Sequence, residues 1–511
     1  MNDASERGAS HSPSAIDVAD RSPREVLVER ALWILVAIAL VVGIVGGVHR
    51  GKHQRPDWSE FFRETRYVWE HHRTHPGTSM FGYLPTATFL LWPFTTWAPE
   101  PIGAVCFVII NTAAAIAAIL IVSRYWFPSR IPPPMFALPA ALAAANFSHS
   151  ITANQLTLLT LLLCIGGLTL VGRDRQYVGG GLIGLAVLIK SLPAILAVYL
   201  LLTRRWRALL GIAAAGVLFD VVPSVMFFGP RGALDEHRAW IRRAGWHSNK
   251  HMIEQPFLRV HRHSSNAAYS AVLTRWLRKP PEAMRQVILY GKAPEEAVDA
   301  ARAGLADDEL LTLDPMPPPE GAWAKKRVDD LSWVPRFHLA DLSPGAVRLL
   351  WASSLALGFI VLSIATWRAA GRPDFDWAPI AAVWIVAMLW PSPMMRHYYL
   401  AWAFPALASV WSALAVKPIA GKQRSKVGCL LGVFALGGWL IGVLCLGWPA
   451  ARWYGVHLAA LVMLCLAGIW SWRFSAQARG EHPADTGFQS GGGGELRNAE
   501  HQRTGGATPR P

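Results

Sequence analysis

Apolar runs of near-span length recur along the chain, at 31–48, 101–123, 132–147, 154–171, 208–228, 346–367, 377–391, 398–416, 427–447 and 453–472. Each predicts a helix crossing a bilayer, which takes about 20 apolar residues. Two further stretches break the pattern. Tyr83–Trp97 is shorter and carries Pro85 and Pro93, which predicts a re-entrant or interfacial helix. Gly179–Leu202 is interrupted by Lys190-Ser-Leu-Pro193 and admits two readings, one kinked span or two short helices over 178–190 and 192–203 that enter and return.

Basic residues choose between them. Arg173 and Arg175 precede the broken stretch, and Arg204, Arg205 and Arg207 follow it. Positive charge gathers on cytoplasmic loops, so both flanks belong to one side and Lys190 stands at a tip inside the bilayer. Arg124, Arg130, Arg368, Arg372, Lys417, Lys422, Arg424 and Lys426 then fall on the side of the N-terminal tail. The expected architecture is an all-α integral membrane protein, a multi-pass bundle of about 12 membrane helices with juxtamembrane helices in the first outer loop.

The same pattern divides the chain. Residues 1–26 and 475–511 read as disordered cytoplasmic tails. Residues 27–228 form an N-terminal membrane module whose first outer loop, 49–82, is the expected place for chemistry. A long extracytoplasmic loop covers 229–345, basic in its first half and acidic and proline-rich in its second, and 346–474 supplies the C-terminal membrane helices. That loop is either a solvated cap or one with an anion site near the membrane.

Composition narrows the class. Apolar residues make up 52% of the 511 and charged ones only 16%, which excludes disorder and a conventional soluble enzyme. The net charge of +15 is accounted for by cytoplasmic loops, so no nucleic-acid partner is expected. Cys106, Cys164, Cys429, Cys445 and Cys465 all lie in apolar runs without metal-ligand spacing, and His247, His251, His261 and His263 match no compact ligand motif, so neither a metal site nor a cofactor is expected.

A few polar groups stand out. Asp57, Glu60 and Glu64 share one face of any helix beyond the first span. Asp57 either caps that helix or acts as a base on a hydroxyl acceptor, while Glu60 and Glu64 more readily pair with nearby cations. Lys190 is costly inside hydrocarbon and marks a pathway or a partner. That partner is a phosphate, or Asp220, or the side chain snorkels to water. Arg396 and His397, with Tyr398 and Tyr399, sit at a short outer turn after Ser392-Pro393, fit either to hold phosphate oxygens or to anchor the interface.

Taken in order, these blocks resemble a known family. Asp57, Phe81-Gly-Tyr83-Leu-Pro85 and Leu90-Leu-Trp-Pro93-Phe94 are followed by Asn154-Gln155, Gly179-Gly-Gly181 and Lys190-Ser-Leu-Pro193. Then come Ser265-Asn266 through Arg275, and Ser392-Pro393 with His397. From about residue 31 to 416 the chain resembles glycosyltransferase family 87, the polyprenol-phosphate-mannose-dependent mannosyltransferases of the GT-C superfamily. Ala267 and Ala268 stand where the family has Gln and Ser, and His397 is about one position out of register.

The resemblance implies Asp57 as catalytic base, with Lys190, Asn266, Arg275, Arg396, His397, Glu60 and Tyr83 as candidates for contact with substrate and phosphate. It implies inverting transfer of a hexose, mannose in the first instance, from a polyprenyl-phosphate sugar to a glycolipid or glycan hydroxyl. The setting implied is the outer face of a bacterial cytoplasmic (inner) membrane, with both termini cytoplasmic. The rival expectation is a transporter or flippase of a lipid-linked anion, using Lys190 and Asp220 without bond chemistry.

Overall fold

In a computed structural model, the described residues are 22–52, 56–72, 84, 86–127, 133–244, 268–278, 339–372, 375–392, 395–415, 426–444 and 456–478. They are helical, with no strand among them. Six described helices are long and apolar enough to cross a membrane, and five shorter apolar helices pack among them. The described part of the chain is therefore all-helical, with several helices suited to a membrane.

The first helix, α1 (Pro23–Lys52), runs beyond the predicted 31–48 at both ends. An amphipathic helix, α2 (Pro56–His71), and a short one, α3 (Ala87–Thr95), follow it. Pro93 lies inside α3, in keeping with the predicted interfacial segment. Next come α4 (Glu100–Ile121), extended by a π turn over Val122–Trp126, and α5 (Ala137–Thr152). α5 was expected to stop at 147 but continues through Asn146 and Ser150, both buried. Polar residues there face protein and not lipid, so hydropathy alone under-calls the helix.

α6 (Thr157–Gly172) and α7 (Gln176–Ile189) then form a hairpin, and a 3-10 turn, Leu192–Ile195, leads into α8 (Leu196–Leu202) and α9 (Trp206–Gly216). The contacts of α7 with α9 decide the threading of the broken stretch. A Cβ on Gly180 would meet the Ala208 carbonyl oxygen at 1.9 Å, and one on Gly184 would meet the Cα of Ile212 at 3.1 Å. Residue numbers rise together along both helices, so α7 and α9 run parallel. The segment between them must return, and the enter-and-return reading holds against the single kinked span.

The two turns flanking this hairpin confirm that they share one end of the bundle. Asp174 and Arg204 both take positive φ, 61° and 56°, and the Arg205 Nη1 atom lies 4.0 Å from Asp174 Oδ1 across the gap. The Arg173 guanidinium covers the Tyr125 ring at 3.9 Å, which brings the end of α4 to the same level.

Beyond α9 a π turn, Val217–Val221, carries Asp220 into α10 (Val222–Ala244). This helix is broken at Gly229, whose φ of 75° and ψ of 165° precede Pro230. The predicted long loop from 229 thus begins as helix. α11 (Tyr269–Leu277) docks on the start of α12 (Pro344–Ala370) through Leu273, Leu277, Val347 and Trp351. α13 (Trp377–Ala387), a 3-10 segment His397–Ala403, α14 (Phe404–Ala415), α15 (Lys426–Leu444) and α16 (Val456–Ala478) complete the described chain. One core spans α1, α4–α9 and α11–α16, and large buried groups such as Trp384, Trp402 and Phe404 fill it.

Candidate functional site

Lys190 ends α7. Its backbone is extended (φ −142°, ψ 129°) and its N–H still donates to the Ala186 carbonyl at 2.9 Å. Pro193 forbids the helix from continuing in the ordinary way. The residue is only 3% exposed.

A buried ammonium must be satisfied, and three elements converge to do so. Its Nζ donates to Thr157 Oγ1 at 2.8 Å, at the start of α6. It lies 4.2 Å from the Tyr399 ring centroid and 5.6 Å from that of Tyr398, within the range of cation–π attraction. Thr157 is itself fixed, because Trp402 Nε1 donates to its carbonyl at 3.0 Å. The Tyr398 carbonyl accepts from Ser150 Oγ at 3.3 Å. α5, α6, the α7–α8 break and the 397–403 segment are thus tied into one polar knot.

His397 adjoins this knot. Its ring stands between His149, 5.8 Å away, and His457, 5.4 Å away, measured between centroids. No group of three His, Cys, Asp or Glu with metal-holding geometry occurs among the described residues. Arg396 precedes it in extended conformation and is half-buried.

Arg275 lies on α11 and is 2% exposed; burial pushes its guanidinium down to about 9, still cationic at neutral pH. α11 reaches the main core through Ala268 and Ala271, both fully buried.

α2 joins the same region through its apolar face. Phe61 and Phe62 of α2 share a buried cluster with Leu91, Ala104, Phe107, Leu156 and Ile189. Ile189 immediately precedes Lys190, and Phe61 follows Asp57 by one helical turn, on the same face of α2. Asp57 and Glu60 are helical in α2, though their side chains, like all of Tyr83 and Asn266, lie outside the described residues.

Asp220 takes different partners from Lys190. Thr86 Oγ1 donates to its Oδ1, and His237 Nε2 lies 3.1 and 3.0 Å from its two oxygens. Of the alternatives open for Lys190, pairing with Asp220 gives way to a Thr86–Asp220–His237 cluster. Thr157, His149, His457 and His237 were not singled out from sequence. Thr157 had a faint signal, a hydroxyl just after Asn154-Gln155 at the head of a span. The histidines had none, because their partners are distant in the chain.

Residues 81–291 match the model of Glycosyltransferase family 87. No curated protein and no solved structure matches the chain.

Proposed function

From the match of residues 81–291 to the model of Glycosyltransferase family 87, we propose that this is a membrane enzyme that moves a hexose, mannose in the first instance, from a polyprenyl-phosphate carrier to a hydroxyl acceptor. In this reading about 12 membrane helices cross or enter a bacterial cytoplasmic membrane, both termini are cytoplasmic, and the Lys190 end of the bundle opens outward. The basic turns at 173–175 and 203–207 support that orientation.

The observation that carries the reading is the cluster uniting Phe61 with Ile189. It holds the helix of Asp57 against the break that presents Lys190, so a proton acceptor and a cation can address one cleft. Asp57 takes the proton of the acceptor hydroxyl as its oxygen bonds to the anomeric carbon. The bond from that carbon to the phosphate oxygen breaks, its electron pair leaves with the polyprenyl phosphate, and the configuration inverts.

Positive charge aimed at the leaving group lowers the barrier most when it is fixed before reaction. Lys190 is held in that way by Thr157 and Tyr399. Arg275, Arg396 and His397 are assigned to the phosphate as well, and Glu60, Tyr83 and Asn266 to the sugar or acceptor. Side chains thus supply the cationic groups of the site.

The test is transfer of radiolabelled mannose from polyprenyl-phosphate-mannose to extracted membrane lipids in proteoliposomes. Asp57→Asn should abolish transfer while leaving folded protein in normal yield. Full activity in that variant removes Asp57 as the base.

A further inference from the structure

Asp220 and His237 are separated by 17 residues, a distance of about 25 Å along a straight helix. They touch because α10 doubles back. Gly229 takes φ 75° and ψ 165°, a conformation that glycine adopts without a Cβ penalty, and Pro230 restarts the helix in a new direction. The second limb, 230–244, therefore returns along the π turn that carries Asp220.

The sequence of that limb suits an interfacial position. Pro230, Ala233, Leu234, His237, Trp240 and Ile241 fall on one helical face, and Arg231, Asp235 and Arg238 on the other. Ala233 is buried, whereas Leu234 and Ile241 are 50% and 63% exposed, as expected for an edge resting in lipid. His237 is the one polar group in that apolar face, and Asp220 satisfies it.

His237 is tied at both ring nitrogens. Nδ1 is 2.7 Å from the Ala233 carbonyl oxygen, and Nε2 is within 3.1 Å of both Asp220 oxygens. The carbonyl only accepts, so Nδ1 donates to it and Nε2 is left to meet the Asp220 carboxyl. The third member, Thr86, is fully buried at the start of α3 and donates to the same carboxylate.

This carboxylate joins elements that also hold α2. Trp69 of α2 packs on Phe89 and Trp92 of α3 and on Phe227 of α10, with centroids 4.7 to 5.9 Å apart. His72 stacks on Phe227 at 4.5 Å. If the Thr86–Asp220–His237 bonds are lost, α3 and the second limb of α10 are released from the π turn, and α2 loses the seat for its C-terminal end.

We propose that Thr86, Asp220 and His237 are positioning residues for glycosyl transfer: a three-element clamp that sets the helix of Asp57 in register with Lys190. The inference rests on the glycosyltransferase reading above. Misplacing a base by about 1 Å costs up to a hundredfold in rate while leaving binding largely intact. The clamp therefore acts on kcat and much less on the donor KM.

The experiment uses the full chain in proteoliposomes with radiolabelled polyprenyl-phosphate-mannose and extracted membrane lipids. Asp220→Ala, His237→Ala and Thr86→Val should each lower kcat about tenfold or more, with donor KM within about twofold. Thr86→Ser, which keeps the hydroxyl, should restore the rate. The Asp220→Ala/His237→Ala pair should be no worse than Asp220→Ala alone, since that variant already lacks the bond to His237. Unchanged kcat, losses confined to KM, or multiplying losses overturn the proposal.

Hydrogen–deuterium exchange on the same proteins gives a readout independent of the reaction. Asp220→Ala should raise exchange in both 56–71 and 230–244. Absence of transfer by the unaltered protein would sink the assigned reaction, and exchange alone then judges the clamp. Unaltered exchange in those two segments overturns it.

Discussion

The ammonium of Lys190 lies 4.2 Å from the ring centroid of Tyr399, while its Nζ donates to Thr157 at 2.8 Å. A cation that would be costly in hydrocarbon is thereby held by an aromatic face and a hydroxyl. Both contacts fix the ammonium in place at the break that ends α7.

Replacing Lys190 with Met should lower sugar transfer about 100-fold or more, the scale seen when a fixed group facing developing charge is removed. Tyr399→Phe keeps the ring and should stay near the unaltered rate. Tyr399→Leu removes about 0.5–2 kcal/mol of cation–π attraction and should cost about 2- to 30-fold. Steady-state transfer rates check all three; equal rates for Phe and Leu would exclude a role for the ring face.

Phe61 is buried in the cluster that includes Ile189. Phe61→Ala should leave a cavity and destabilise the protein by about 3–5 kcal/mol, read as a lower melting temperature in detergent. Transfer should fall as well, because α2 loses its anchor beside the Lys190 break.

The close approach of α7 to α9 leaves no room at Gly180, where a Cβ would sit 1.9 Å from the Ala208 carbonyl. Gly180→Val should force the helices apart and yield aggregated protein on size exclusion. Gly181 faces open space, so Gly181→Ala should behave as unaltered protein. Similar behaviour of the two variants would refute the parallel packing.

The enter-and-return path makes a directional prediction. Cysteines placed at Asp174 and Arg204 should react with an impermeant maleimide from one side of sealed vesicles, and a cysteine at Arg238 from the other. Opposite sidedness of positions 174 and 204 would restore the single kinked span.

Removing the contact between Arg205 and Asp174 should matter little for stability. Their side chains are 33% and 79% exposed and 4.0 Å apart, the kind of pair worth at most about 1 kcal/mol. Asp174 also takes φ 61°, which glycine accepts more readily. Asp174→Gly should therefore keep the melting temperature within a few degrees, measured by thermal unfolding.

Much was legible before any coordinates. The apolar runs predicted where helices lie because lipid leaves a spanning chain no other way to satisfy its backbone. The arginines on both flanks of 179–202 predicted its return, and Lys190 drew notice because a charge in a span needs a cause. The order of short motifs also pointed to the family matched over residues 81–291.

What the chain alone could not decide was pairing. The sequence offered Asp220 as one possible partner for Lys190 and gave no sign of His237; the reversal at Gly229 brings the histidine to that carboxyl. Tyr399 and Thr157 are 242 residues apart, and nothing local brings them to one ammonium. Hydropathy and helix periodicity are properties of neighbours in sequence, so the sequence determined where the apolar helices lie. The partner of each buried charge depends on how distant helices pack, and that was settled only by the tertiary structure.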